Sequence, residues 1–399
     1  MEFLLALLVL LLYAKVFGEL LHHIGFSPMI GEVAAGILLG PALLGLVTTS
    51  DAIYGVAMLG LVVLMLVTGM DSRFDLLMKV KFKAFMIAVS GVAVSFVLGF
   101  GVAHAWTQQL LPSLFVAAAL SNTATEITVR VTERSRHRDV VVGAALIDDV
   151  LAVYILGILS TATIKQTLGQ PLDFSVILWA TLGIIAFFVL VGYLSRELII
   201  KRNIMRNLWK FEARGIPLAF AICLALALAV IAQYIGLHAV IGAYMAGLFI
   251  GRLRERPTVT LQSRIRLNKM LDSITNSLQS ILTPMFFVFV GLSFGINPAT
   301  RELLSLGQVN VIVLLALISA AFAGKLIGCG AGAAAVGYRK RDLAEIGTAM
   351  CARGSLELAV LQFGLLSGVV GSELFAVMVV TTLSTTLLTP VIFKYVSKT

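Results

Sequence analysis

Charge is scarce in this sequence of 399 residues: Asp, Glu, Lys and Arg make up 13% of it, against 59% hydrophobic residues. Soluble globular chains carry about a quarter charged residues. The mean hydropathy of +1.00 points the same way, so composition excludes a soluble enzyme or binding module as the body of the chain. Cysteine is scarcer still. Cys223, Cys329 and Cys351 stand inside apolar runs with no ligand spacing between them, which excludes a disulfide framework and a cysteine metal site. The five histidines, His22, His23, His104, His137 and His238, lack the paired spacing of a zinc site. A basic stretch before the first apolar run is missing, as is a small-residue cleavage site after it. "FLLALLVLLLYAKVFGELL" therefore reads as a retained helix and not as a leader.

Long apolar runs fill what remains. A helix needs about 20 mostly apolar residues to cross the hydrocarbon. Polar breaks divide the chain into thirteen such stretches, near 2–23, 27–47, 52–70, 84–106, 111–133, 139–163, 173–199, 213–235, 237–252, 276–296, 308–337, 342–368 and 371–396. The reading is an all-α polytopic membrane protein, one membrane domain over 1–399 with no soluble regulatory domain. Basic residues collect in alternate gaps: twenty-four Lys and Arg, from Arg73 to Lys398, fall in one set, and the other set holds Lys165 and Arg301. The positive-inside rule then puts the N-terminus outside and the C-terminus in the cytoplasm of a multi-pass cell-membrane protein. The net charge of +9 is accounted for by these loops lying against an anionic leaflet of the lipid bilayer, with no nucleic-acid partner.

Against that background the charges inside spans stand out, because each costs at least about 2.5 kcal/mol at a helix centre. Asp148 and Asp149 are adjacent in the middle of the sixth stretch, "GAALIDDVLAVYILGIL", and Lys325 is central in the eleventh. Glu126 lies in the fifth, "ALSNTATEITVRV", and Arg353 and Glu357 lie in the twelfth, "AMCARGSLELAV". Glu19 and Glu32 are read as nearer span ends or glycine-rich turns. Small and polar residues interrupt the fifth and twelfth stretches, so both read as helices broken near the midplane, the sequence mark of a transporter binding site. The two run in opposite directions, as inverted repeats require. Glu126 and Arg353 are expected to neutralise the half-helix ends or to pair with each other, a structural role shared with Glu357.

Neighbouring residues on a helix point about 100° apart. Two adjacent aspartates therefore cannot both face one lysine: one pairs with Lys325 and the other is left to hold a proton or a cation, and which does which is open at this point. An intramembrane aspartyl protease needs two aspartates converging from different helices, and adjacent ones diverge. In a cation channel the buried lysine would oppose conduction.

At these residues the chain resembles the monovalent cation:proton antiporter-2 family, its Asp-Asp sodium/proton exchangers in particular. The resemblance is carried in order by "PMIGEVAAGILLGPALLG" (28–45), "GAALIDDVLAVYIL", "GLHAVIGAYMAGLFIG" (236–251), "LTPMFFVFVGLSFGI" (282–296) and "AGKLIG". It implies that Asp149 binds the cation and carries protons, that Asp148 forms a switchable ion pair with Lys325, and that Ser121, Asn122, Thr123 and Thr125 supply ligands from the broken fifth helix. It implies a homodimer and an elevator-type exchange of Na⁺ or Li⁺ for H⁺, electrogenic, without cofactor or enzymatic reaction. Core helices would lie at about 84–163 and 308–396, scaffold helices at about 1–70 and 213–296, and a linker at about 173–199. Two departures bear on the ion. Glu126 adds a negative charge beside the site, and the run Arg353-Gly354-Ser355-Leu356-Glu357 resembles potassium-transporting branches, which makes a K⁺/H⁺ antiporter the alternative.

Overall fold

The computed structural model describes residues 3–71, 74–169, 174–195, 216–251, 261–294 and 311–397, and among them every regular element is a helix. In chain order these are α1 (Phe3–Ile24), α2 (Pro28–Leu39), α3 (Asp51–Asp71), α4 (Phe74–Thr107), α5 (Leu110–Ser121), α6 (Thr125–Val131), α7 (Arg138–Thr167) and α8 (Phe174–Ser195). There follow α9 (Ile216–Tyr234), α10 (Ala239–Gly251), α11 (Leu261–Ser293), α12 (Val311–Ala335), α13 (Lys340–Ala349), α14 (Ser355–Leu366) and α15 (Ser372–Val396).

Among the described residues seven segments are long and apolar enough to cross a membrane: α1, α3, Phe82–Thr107 of α4, α5 with α6, α7, α12 and α15. Six shorter apolar helices accompany them: α2, α10, α14 and parts of α8, α9 and α11. The second stretch is shorter than its apolar run. It begins with Pro28 at the first turn, where a missing N–H costs nothing, and stops at Leu39. Gly40 is extended at φ −77, ψ −179, as a residue before proline tends to be, and Pro41 follows. Both expected interruptions are present: α5 gives way to α6 after Ser121, and α13 gives way to α14 after Ala349.

The chain divides into two compact units. The first comprises Met1–Tyr54, Leu76–Ile155 and Phe287–Thr399; the second comprises Gly55–Asp75 and Leu156–Phe286. The first unit thus joins α1, α2 and the end of α11, from stretches read as scaffold, to most of the stretches read as core. Within it α12 lies against α4 along one face of small residues. A Cβ added at Gly324 would fall 2.7 Å from the Ser95 Cα, and one at Gly328 would fall 2.7 Å from the Ser90 carbonyl oxygen. Where lipid tails are as apolar as side chains, such close backbone contact is what holds helices together. α2 meets the end of α11 in the same way, with Gly36 against Val288 and Gly291 against Val33. In the second unit Gly69 of α3 and Gly247 of α10 abut, each leaving no room for a Cβ on the other's helix.

Polar contacts anchor the start of α13 to the α6–α7 connection. Arg136 and His137 both reach the Asp342 carboxylate, His137 at 3.3 Å, and the Ser135 hydroxyl donates to Glu345 at 2.6 Å. The His137 ring stands edge-on to Tyr338, at 5.4 Å between centroids.

The glycine contacts predict a contrast. A methyl at Gly291 would sit 2.2 Å from the Val33 carbonyl oxygen. Gly291→Ala should therefore destabilise the purified protein by about 1–3 kcal/mol, the ordinary cost of overpacking. Gly101, with nothing within 4 Å of its would-be Cβ, should accept alanine with no loss, both read from thermal unfolding in detergent.

Candidate functional site

Two interrupted helices leave backbone donors and acceptors inside an apolar region, where each must find a partner. Here the breaks serve each other. The Ala124 N–H donates to the Ala352 carbonyl at 2.8 Å, the Thr123 hydroxyl to Met350 O at 3.1 Å, and the Thr128 hydroxyl to Ala349 O at 3.0 Å. At the crossing a Cβ on Gly354 would lie 2.7 Å from that of Ala124, so the chains meet where one side chain is absent. Arg353, fully buried, donates to the carbonyls of Asn122 and Ala321, and the Thr386 hydroxyl donates to Arg353 O at 2.8 Å. Charges stand where half-helix dipoles favour them: Glu126 in the first turn of α6, Glu357 in the first turn of α14, and the guanidinium on the carbonyl just past α5.

α7 brings the aspartates to this crossing. The Lys325 Nζ is 2.7 Å from Asp148 Oδ2, and neither side chain has any exposure. Asp149, 3% exposed, accepts from the Thr125 hydroxyl at 2.7 Å. The adjacent carboxylates thus diverge as helix geometry requires, one towards α12 and the other towards the α5–α6 break. That settles which of them holds the lysine in this structure.

The remaining expected ligands divide. Thr125 reaches Asp149. The Asn122 side chain lies 1% exposed, and neither Oδ1 nor Nδ2 has a hydrogen-bond partner among the described residues. Ser121 donates to Ala118 O of its own helix at 2.8 Å, and the Thr123 proton is committed to Met350, so those two offer only oxygen lone pairs. Asp148 Oδ1 is likewise buried without a partner. Glu126 is exposed, within electrostatic reach of Asp149, while Arg353 spends its terminal nitrogens on carbonyls. Uncommitted oxygens beside a carboxylate are a donor set suited to a small monovalent cation; of the cations near it among the described residues, Lys325 is paired with Asp148 and the Arg353 guanidinium is spent on carbonyls.

Sequence reasoning missed several participants. Thr128 and Thr386 fasten the breaks, and the only sign of them was polar residues recurring within apolar runs. Glu32, read as lying near a span end, is 6% exposed within α2, while Glu19, on the exposed part of α1, sits 3.4 Å from His23.

A family model for the transmembrane region of sodium/hydrogen exchangers matches residues 4–398. The chain belongs to the sodium/hydrogen exchanger family. Two curated relatives match it end to end. The Na⁺/H⁺-K⁺ antiporter GerN of Bacillus cereus is 25% identical over 99% of this chain and 96% of its own length. A Na⁺/H⁺ antiporter of Enterococcus hirae is 26% identical over 100% and 99%. Among solved structures, the sodium proton antiporter MjNhaP1 from Methanocaldococcus jannaschii superposes with a TM-score of 0.68 over 99% of this chain and 97% of that one. At 15% identity that likeness speaks for the fold. This family member is thus a membrane antiporter by kinship, and its crossed breaks lie beside the aspartate pair that the sequence singles out.

The buried pair makes a stability prediction. Lys325→Ala leaves Asp148 charged and alone, a change worth about 3–5 kcal/mol. The variant should melt well below the unaltered protein, and adding Asp148→Asn should recover most of the loss. A double variant no more stable than Lys325→Ala alone would show that the pair is not what holds this region.

Proposed function

We propose that the chain exchanges Na⁺ or Li⁺ for H⁺ across the membrane, with Asp149 as the group that both ions share. The observation that carries this is the difference between neighbours: Asp148 has a lysine at 2.7 Å, and Asp149 has only a hydroxyl. A buried carboxylate without a counter-charge must take a proton or a cation to stay buried. Mutual exclusion of the two at one carboxylate is sufficient for antiport. Thr125, the Asn122 amide oxygen and the lone pairs of Ser121 and Thr123 are the remaining ligands of the cation.

The cycle follows from desolvation. On one face Asp149 gives up its proton and takes Na⁺; the bare carboxylate does not cross, because burying an unpaired charge is costly, whereas the neutralised site does. On the other face Na⁺ leaves, protons load, and the site returns. Lys325 gives up a proton and releases Asp148 when the cation binds, and regains both afterwards, so two protons move for each Na⁺ and the exchange is electrogenic. Access alternates by an elevator-type movement of core helices at about 84–163 and 308–396 against scaffold helices at about 1–70 and 213–296, linked by 173–199, in a homodimer. Seven full-length apolar helices and the shorter ones support thirteen spans, and the basic loops support a cytoplasmic C-terminus in the cell membrane.

K⁺ is the second reading, favoured by the potassium in the name of the Bacillus cereus relative and by the Arg353–Glu357 run. Proteoliposomes carrying a pH gradient separate the two: Na⁺ or Li⁺ should dissipate the gradient, and Asp149→Asn should abolish the response. A response to K⁺ alone keeps the mechanism and changes the cargo; an unaffected Asp149→Asn removes the mechanism. Thr125→Val should weaken apparent Na⁺ affinity by about ten- to a hundredfold, the worth of one hydrogen bond to a charged group at roughly 1.5–3 kcal/mol.

A further inference from the structure

Glu357 is a carboxyl group that the exchange cycle leaves without a task. Its exposure is 0%, and neither of its oxygens has a hydrogen-bond partner among the described residues. An ionised carboxylate in that position would lose its hydration with only the dipole of the first turn of α14 in return, and no hydrogen bond. Four residues earlier stands Arg353. Its terminal nitrogens donate to Asn122 O and, at 2.7 Å, to Ala321 O, while its Nε is buried without a partner. Ala321 lies one turn before Lys325 on α12, and Asn122 is the residue at the α5–α6 break with the uncommitted amide. The guanidinium is therefore a clamp between the cation site and the helix of the lysine.

The groups facing Glu357 are few. Arg353 and Lys325 are the charges within electrostatic reach, and Thr382 of α15 is the polar neighbour. The Thr382 hydroxyl is itself donated to Met378 O at 2.9 Å. α5, which packs on α14, has no charged side chain.

We propose that Glu357 is a second proton-binding acid and that its proton governs the Arg353 clamp. This rests on the exchange proposed above. With the proton on, a neutral Glu357 makes no demand on the guanidinium, and Arg353 holds Asn122 and Ala321 as it does here. When the O–H bond breaks and the proton passes to water, the new carboxylate one turn away draws the guanidinium. The bond to the Asn122 carbonyl opens, and the α5–α6 break with its cation ligands is freed from α12. Asp148 with Lys325 and Glu357 with Arg353 are then two proton-linked ion pairs, of which the first is closed and the second open in this state.

The test uses infrared spectra of the purified protein in lipid through a pH titration, for the unaltered chain, Glu357→Gln and Glu357→Asp. The unaltered protein should lose a protonated-carboxyl C=O band on alkalinisation; the band should be missing from the glutamine variant and displaced in the aspartate variant, which also covers the case in which Glu357→Gln fails to fold. Spectral changes that are the same in all three overturn the proposal, whether or not the protein transports. In proteoliposomes Glu357→Gln should cut turnover at alkaline pH about tenfold with apparent cation affinity changed by no more than about twofold, and Glu357→Asp should restore the alkaline limb. A glutamine variant whose pH profile superimposes on that of the unaltered protein overturns the clamp. No exchange by the unaltered protein would overturn the proposed function instead, and the infrared result would still decide the titration of Glu357.

Discussion

An ion inside a bilayer must find its opposite or lose its charge, and the centre of this protein is arranged around that requirement. Lys325 and Asp148 meet it by pairing at 2.7 Å with no exposure. Such a pair is a poor source of stability compared with apolar packing, since taking two ions out of water consumes most of what their attraction returns. Its presence in a chain with so few charges therefore speaks for a working part. Once Lys325 is spent on Asp148, Asp149 has no paired cation among the described residues, and the exchange proposed here follows from that shortage.

The same requirement applies to the backbone. Helices cross bilayers because they satisfy their own peptide groups, and a break forfeits that advantage. Two breaks placed together recover it, because one supplies what the other lacks: an N–H from Ala124 for the carbonyl of Ala352, and threonine hydroxyls for the carbonyls of Met350 and Ala349. Each break is thereby conditional on the other. Arg353 and Thr386 extend the arrangement to α12 and α15, so four segments distant in sequence share one network of hydrogen bonds. α12 can come close enough to take part because its glycines lie flat on α4.

Much of this was legible in the letters. Asp148, Asp149 and Lys325 stand out because charge within an apolar run is expensive, and "SNTAT" and "ARGS" stand out because small and polar residues interrupt a span. Divergence of the aspartates follows from helix geometry alone. Which of them takes the lysine depends on how α7 is rotated against α12, and periodicity says nothing of that. The fastening of the breaks is hidden for a related reason: its acceptors are carbonyls, which every residue has, and Thr128 and Thr386 lie about 220 and 30 residues from their partners in sequence. The early end of α2 was written in Gly40 and Pro41, yet hydropathy carries on to residue 47, and the longer apolar run was misleading.

Asp148 and Asp149 are joined by a single peptide unit, and each answers to a different element. Long-range signalling in proteins usually needs a relay of side chains between a sensor and its target. Here the relay has shrunk to the distance between consecutive Cα atoms, about 3.8 Å. Any turn or slide of α7 that improves the fit of one carboxylate to its partner alters the fit of the other at once and by a comparable amount. In the exchange proposed above, cargo at one residue and counter-charge at the next are consequently geared rather than messaged: their coupling is a property of one helix, with no slack for the two events to drift out of step.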